Sequence, residues 1–156
     1  MKFQFHALIL LSALAFVACG DDKGSTKPSV DSETKVDCGA PTSCEPAGGA
    51  EIEVTCPAGG ETVQPGDTVV LRWRARVTDF TGFVPQISLN NGQSYTELVS
   101  ESILAEAAPE FQCFSYEVVI EDAWKSAGNQ AILRVKDYSS KATMRDAAPN
   151  ITIQGE

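Results

Sequence analysis

Five cysteines offer the widest range of chemistry in this sequence: Cys19, Cys38, Cys44, Cys56 and Cys113. A thiolate can act as a nucleophile, bind a metal ion or form a disulfide. Nucleophilic catalysis by cysteine or serine usually relies on a histidine base, and the single histidine of the chain is His6. We expect His6 to be removed with residues 1–18, so that the mature chain would lack histidine. This excludes Ser-His-Asp and Cys-His catalysis. No other catalytic constellation stands out in the sequence, and the protein is predicted not to be an enzyme.

The first 18 residues have the parts of an export signal. Lys2 provides a positive charge, and the run 7–18 is apolar except for one serine. This run is too short for a membrane-spanning helix, which needs about 20 residues. Directly after Cys19 the chain becomes polar, with Gly20 followed by two aspartates.

The segment Phe16-Val17-Ala18-Cys19 resembles the lipobox of bacterial lipoproteins. The resemblance implies that residues 1–18 are cleaved as a signal peptide and that Cys19 is acylated, so the membrane is an expected partner through a lipid anchor. Gly20 stands where an inner-membrane retention signal has aspartate. We therefore predict anchorage at the outer membrane, on its periplasmic face or at the cell surface. An ordinary signal peptide with a chance cysteine is the alternative.

The charge of the chain disfavours nucleic acid as a partner. It has 12 basic and 21 acidic residues, a net charge of −9, and no basic block. Carboxylate chemistry stays open, but no pair of acids stands out as a glycosidase pair. Aspartates near turns have no calcium-loop spacing. We predict no metal and no cofactor.

The four cysteines after Cys19 form an even set in an exported chain, which predicts two disulfides. Three pairings are possible. We favour Cys38–Cys44 as a small local clip and Cys56–Cys113 within the folded domain, where the closed loop would contribute roughly 4 kcal/mol. A zinc site is the competing interpretation, and the lack of histidine disfavours it.

The composition divides the mature chain into a tether and a domain. Residues 19–50 are rich in glycine, serine, threonine, proline, aspartate and lysine, and they are predicted to be a disordered tether with an end-to-end distance of roughly 30 Å. Residues 51–156 contain short apolar runs separated by turn residues, which predict about seven strands. No long amphipathic helix separates them, so an all-β sandwich is favoured over a βαβ fold.

The longest predicted strand is 68–76. Alternation places four of its side chains inward and its three arginines outward. The inward set is Val69, Leu71, Trp73 and Ala75, and the outward set is Thr68, Val70, Arg72, Arg74 and Arg76. These arginines predict either a site for an anionic ligand or, as we favour, ion pairs with acids of a neighbouring strand around Glu117.

Five segments, 52–57, 60–63, 65–73, 131–137 and 149–153, resemble an immunoglobulin-like domain found near the N-terminus of Ser/Thr-rich, GPI-anchored fungal cell-wall proteins and in bacterial surface proteins. The resemblance covers about residues 51–154. It implies an immunoglobulin-like antiparallel β-sandwich at the cell surface, without catalytic residues that transfer to this chain. A fold likeness alone does not specify a function.

Aromatic residues near predicted strand ends are the candidate ligand-binding side chains: Trp124, Tyr95, Tyr138 and Phe80. Together they predict a platform for stacking sugar rings, and the alternative is that they cover the open ends of the sandwich. We predict a non-enzymatic, lipid-anchored binding module whose partner is an envelope protein or a polysaccharide. A structural or accessory subunit of an envelope complex and a carboxylate-dependent, glycan-active enzyme are the alternatives.

Overall fold

The computed structural model describes residues 33–78, 81–138 and 144–155. The predicted signal peptide 1–18, Cys19 and Phe80 lie outside the described residues. Within them the strands are β1 Lys35–Val36, β2 Ile52–Cys56, β3 Thr62–Val63, β4 Thr68–Arg76, β5 Thr81–Ser88, β6 Thr96–Glu97, β7 Ile103–Ala105, β8 Phe111–Val119, β9 Ile132–Asp137, β10 Arg145–Ala147 and β11 Thr152–Ile153. Two 3-10 segments, Ala47–Gly49 and Asp122–Gln130, complete the regular structure. No helix in these ranges is both long and apolar enough to span a membrane.

The first sheet is organised around β4. Strand β8 pairs antiparallel with the full length of β4 on one side. The other side of β4 is shared, because β1 pairs in parallel with its beginning and β2 pairs antiparallel with its second half. The predicted inward set on β4 is confirmed, since all four side chains are fully buried.

The second sheet is organised around β5. Strand β9 pairs antiparallel with one side of β5, and the short strands β6 and β7 share the other side. Strand β10 extends the sheet beyond β9, while β3 and β11 form a separate parallel pair. The described strands number eleven rather than about seven, because four of them have only two residues and therefore show no alternation in the sequence.

The two sheets pack face to face through three aromatic rings. Trp73 of β4 stacks on Phe114 of β8 with 5.4 Å between ring centroids, and it meets Phe83 of β5 edge-on at 5.8 Å. Phe83 and Phe114 are 4.9 Å apart. Because these rings come from both sheets and lie in one buried cluster, the predicted all-β sandwich is confirmed.

Residues 33–50, here called the strap, do not form the flexible tether that the composition predicts. They belong to the same compact unit as the sandwich. Strand β1 pairs with β4, and two disulfides attach the strap to the first sheet: Cys38–Cys56 and Cys44–Cys113. A polar composition is compatible with order here because the strap is held to a preformed sheet by covalent and polar contacts.

The favoured disulfide pairing is therefore wrong, although all four cysteines are oxidised. Cys56 lies opposite Arg72 on one side of β4, and Cys113 lies opposite Arg74 on the other side. Two strand spacings, roughly 10 Å, separate these positions, whereas the Cα atoms of a disulfide lie about 4.4–6.8 Å apart. Each of the two cysteines is consequently bonded to the strap instead of to the other.

One side chain predicted to face solvent is buried. Val70 was expected on the outward face of β4, yet it is only 2% exposed. Lys35 lies beside Thr68 on one side of β4, and Glu117 lies beside Val70 on the other. Their ion pair, 2.6 Å from Nζ to Oε1, joins the two neighbours of β4 at the level of Val70.

Candidate functional site

Trp124 lies in the 3-10 segment that follows β8, and it lines a concavity of about 230 Å³. Its ring is half-buried and packs against the edge of the core. We call this concavity the Trp124 groove. Its lining residues are Leu98, Tyr116, Glu117, Val118, Val119, Glu121 and Trp124.

The Trp124 groove lies at one seam between the two sheets. Tyr116 of β8 crosses this seam, because its hydroxyl donates a hydrogen bond to the carbonyl of Leu98 at 3.1 Å. Leu98 is itself fixed to the second sheet, since its N–H donates to the carbonyl of Pro85. The seam on the opposite side of the sandwich is closed differently, by the N–H of Val54 donating to Asp146 Oδ2 at 2.7 Å.

The charged side chains lining the Trp124 groove are both acidic. Glu117 pairs with Lys35 but keeps 63% of its side chain exposed. Glu121 has no ion-pair partner within the described part of the chain. A lining that combines apolar side chains with two acids favours a ligand that combines apolar and cationic groups.

Tyr95, a second predicted ligand-binding residue, is engaged within the protein. The guanidinium carbon of Arg134 lies 3.4 Å from the centre of its ring, a cation–π contact. Arg134 Nε also donates to Gln86 Oε1 at 2.7 Å, and burial lowers the pKa of this guanidinium. One face of the Tyr95 ring is therefore covered by arginine.

Tyr138, a third predicted residue, is largely exposed and has an apolar neighbour that the sequence did not indicate. Tyr138 is 69% exposed and Leu104 is 65% exposed. Leu104 pairs with Gly82 of β5 from one side, and the N–H of Tyr138 donates to the carbonyl of Gly82 from the other. The two side chains thus flank one glycine on the outer face of the second sheet.

The predicted aromatic residues do not form one site. Trp124 lies at the seam beside β8. Tyr95 directly precedes β6 and Tyr138 directly follows β9, two strands of the second sheet. Arg134, which lies over the Tyr95 ring, is four residues from Tyr138 along this extended chain, a separation of roughly 13 Å. The single sugar-stacking platform is not assembled by the three residues that the structure describes.

The outward arginines of β4 are engaged by the protein itself. Arg72 binds Asp37 of the strap, and Arg74 binds Glu53 of β2. Arg76 lies 4.7 Å above the ring of Phe111. Ion pairing of this ladder agrees with our favoured interpretation, but the acids are not around Glu117. The sequence could not indicate Asp37, because it belongs to the segment predicted to be disordered.

Hydrogen bonds lower the pKa of both of these acids, Asp37 and Glu53. The guanidinium of Arg72, together with the N–H of Gly39, lowers the pKa of Asp37 to about 2. The guanidinium of Arg74 and the N–H of Ala47 likewise lower the pKa of Glu53. Both carboxylates are thus strongly held as anions at neutral pH. In the described ranges, no group of three or more histidine, cysteine, aspartate or glutamate side chains is placed to hold a metal ion.

No protein-family model and no curated protein matches this chain. Among solved structures, an engineered protein is 10% identical with a TM-score of 0.40, over 67% of this chain and 20% of that one. A β-glucosidase from Listeria innocua in complex with glucose is 11% identical with a TM-score of 0.40, over 68% of this chain and 16% of that one. The aligned part is at most a fifth of these proteins, and at this level of similarity the likeness supports no functional conclusion.

Proposed function

We propose that the protein is a non-enzymatic, lipid-anchored binding module of the cell envelope whose ligand site is the Trp124 groove. The observation that carries the proposal is a half-buried tryptophan that lines a concavity with apolar and acidic side chains at one seam of the sandwich. Pockets for complete small-molecule ligands usually measure about 300–1,000 Å³. A concavity of about 230 Å³ suits one apolar side chain or one sugar ring of a longer ligand.

The anchor belongs to the same proposal and rests on the lipobox-like segment ending at Cys19. Two or more acyl chains hold a protein stably on a membrane. Metabolic labelling with palmitate should mark the wild-type chain and not Cys19→Ser, and the variant should leave the outer-membrane fraction. Equal labelling of both chains would contradict the anchor without affecting the proposed ligand site.

Intrinsic fluorescence can test the ligand site directly, because the chain has two tryptophans. Trp73 is fully buried in the core, whereas Trp124 is half-buried at the groove. A ligand in the groove should therefore change the emission of Trp124 and leave that of Trp73 unchanged. The probes are soluble glucan, soluble xylan and a capped ten-residue peptide of alternating valine and lysine. Each is titrated into the mature chain in detergent.

The matched variants are Trp124→Ala and Tyr138→Ala. Both remove an aromatic ring from the surface, but only the first ring lines the groove. We expect binding to be lost in Trp124→Ala and kept in Tyr138→Ala. If a probe binds both variants equally well, the groove is not its site. If Tyr138→Ala alone loses binding, the exposed pair Leu104 and Tyr138 is the site instead.

A further inference from the structure

Strand β8 leaves one edge of the first sheet open in the described chain. It has nine residues, and β4 is its only strand partner there. Its sequence contains no proline and no lysine, the residues by which proteins usually block a sheet edge. Other edges are better protected by being short, since β6, β7 and β10 have two or three residues each. A long and regular edge of this kind is a template for another strand.

The ladder geometry identifies which backbone groups of β8 are available. The N–H of Ile120 donates to the carbonyl of Asp67 directly across from it. In an antiparallel pair, hydrogen-bonded residues alternate with residues whose N–H and C=O point away from the partner. The residues that turn these groups toward the open edge are therefore Phe111, Cys113, Ser115, Glu117 and Val119.

The side chains along the edge specify the chemistry of an added strand. On the seam side, the partly buried rings of Tyr116 and the adjoining Trp124 provide apolar contact area. On the opposite side, Glu117 is largely exposed, and the chain as a whole has a net charge of −9. Because alternate residues of a strand face opposite sides, a complementary strand has apolar residues at every second position and basic residues between them.

We propose that β8 binds an extended segment of a partner protein, with alternating apolar and basic residues, as an added fifth strand of the first sheet. This inference rests on the proposed function in one respect, since one apolar side chain of the segment occupies the Trp124 groove. The backbone of β8 supplies most of the contact, and the groove and Glu117 supply the selection of sequence. The ligand is thereby a polypeptide rather than a glycan.

The probe is a capped ten-residue peptide in which valine and lysine alternate. It is titrated into the mature chain and into Ser115→Pro, which removes one outward N–H of β8. The matched control, Ser115→Ala, keeps that N–H. We expect Ser115→Pro to weaken binding by about tenfold or more and Ser115→Ala to leave it unchanged. A peptide of alternating valine and glutamate should not bind, because Glu117 and Glu121 repel it.

Hydrogen exchange on the wild-type chain keeps the test decisive if Ser115→Pro does not fold. Bound peptide should slow exchange at the amides of Ser115 and Glu117, which face the open edge. The amides of Phe114 and Tyr116 should change little, because they already bond to β4. Protection of Ser115 and Glu117 in the free monomer would mean that the chain itself covers the edge, and the proposal would be overturned.

Three further results would also overturn it. They are a lack of peptide binding to the wild-type chain, equal binding to Ser115→Pro and Ser115→Ala, and a dimer in sedimentation that only Ser115→Pro dissociates. The last result would assign the edge to a second copy of the chain. A polysaccharide whose binding depends on Trp124 but not on the Ser115 N–H would support the proposed function and overturn the strand inference, so the two failures are distinguishable.

Discussion

The carboxylate of Asp37 and the guanidinium of Arg72 form a bidentate ion pair on the outer face of the first sheet. Arg72 Nε lies 2.8 Å from Oδ1, and Nη2 lies 2.8 Å from Oδ2. This geometry is the strongest that arginine and a carboxylate adopt. The pair joins the strap to β4, so one of the polar contacts that hold the strap depends on the charge of this carboxylate.

Stability should consequently depend on Asp37 in acid. Its pKa is lowered from 3.8 to about 2 in the folded chain. A group with a lowered folded pKa stabilises the fold above its unfolded pKa, and this contribution is lost as the pH falls through the folded value. We expect the loss between about pH 4 and pH 2, and Asp37→Asn should lack this part of the acid dependence.

The measurement is the melting temperature of both chains from pH 2 to pH 6. Asp122→Asn is the control, because the ion pair of Asp122 with Lys125 is largely exposed. Exposed pairs of this kind contribute little to stability. Indistinguishable acid profiles for wild type and Asp37→Asn would contradict the prediction.

The disulfide pairing is directly measurable. Proteolysis without reduction, followed by mass spectrometry, should recover the strap peptide with Cys38 linked to Cys56 and the one with Cys44 linked to Cys113. A peptide that links Cys56 to Cys113 would contradict the structure. Spectra of the reduced digest provide the control, since every linked pair must separate there.

The two bridges should differ in their contribution to stability. Cys44–Cys113 spans 69 residues of sequence and Cys38–Cys56 spans 18. The chain-entropy model gives about 4 kcal/mol for the longer loop and about 3 kcal/mol for the shorter one. Urea unfolding of the two double cysteine-to-serine variants should rank them in this order. The reverse order would mean that contacts of the strap, rather than loop closure, dominate.

The sequence predicted the parts of the fold in which burial alternates over many residues. The inward set of β4 follows from period two and matches the observed burial. The strap was missed because its order depends on partners distant in sequence. Strand β1 is two residues long, and the ion pairs of the strap join Lys35 to Glu117 and Asp37 to Arg72. No local pattern contains that information.

The candidate site was predictable only in part, for a related reason. Trp124 was identified by its type and its place after a strand, and the structure places it in a concavity. Leu98 was missed as a lining residue of the groove, because the Tyr116 hydroxyl bonds to its carbonyl across the seam from 18 residues away. Leu104 was missed because it lies on β7, whose three residues are too few to show an alternating pattern in the sequence.

The Tyr116 hydroxyl should stabilise the seam. Tyr116→Phe removes the donor to the carbonyl of Leu98, and the loss of such a hydrogen bond costs about 1 kcal/mol. Urea unfolding should detect this difference. Tyr138→Phe is the matched control, because this ring is 69% exposed. If both variants are equally stable, the hydroxyl of Tyr116 does not hold the two sheets together at the Trp124 groove.

Truncation of the two tryptophans should lower the free energy of unfolding by different amounts. Trp73 is fully buried and contacts both Phe83 and Phe114, so Trp73→Ala should cost about 3–5 kcal/mol. Trp124 is half-buried, so Trp124→Ala should cost clearly less and remain folded.

An intermediate substitution separates packing from hydrogen bonding at Trp73. Its Nε1 is buried without an acceptor in the described part of the chain, and a buried donor left unpaired costs about 1–3 kcal/mol. Trp73→Phe keeps an aromatic ring and removes that donor, so it should cost well under half as much as Trp73→Ala. Urea unfolding with near-ultraviolet circular dichroism measures both. An equal loss of unfolding free energy in Trp73→Phe and Trp73→Ala would mean that the shape of the indole itself, rather than aromatic packing in general, holds the two sheets together.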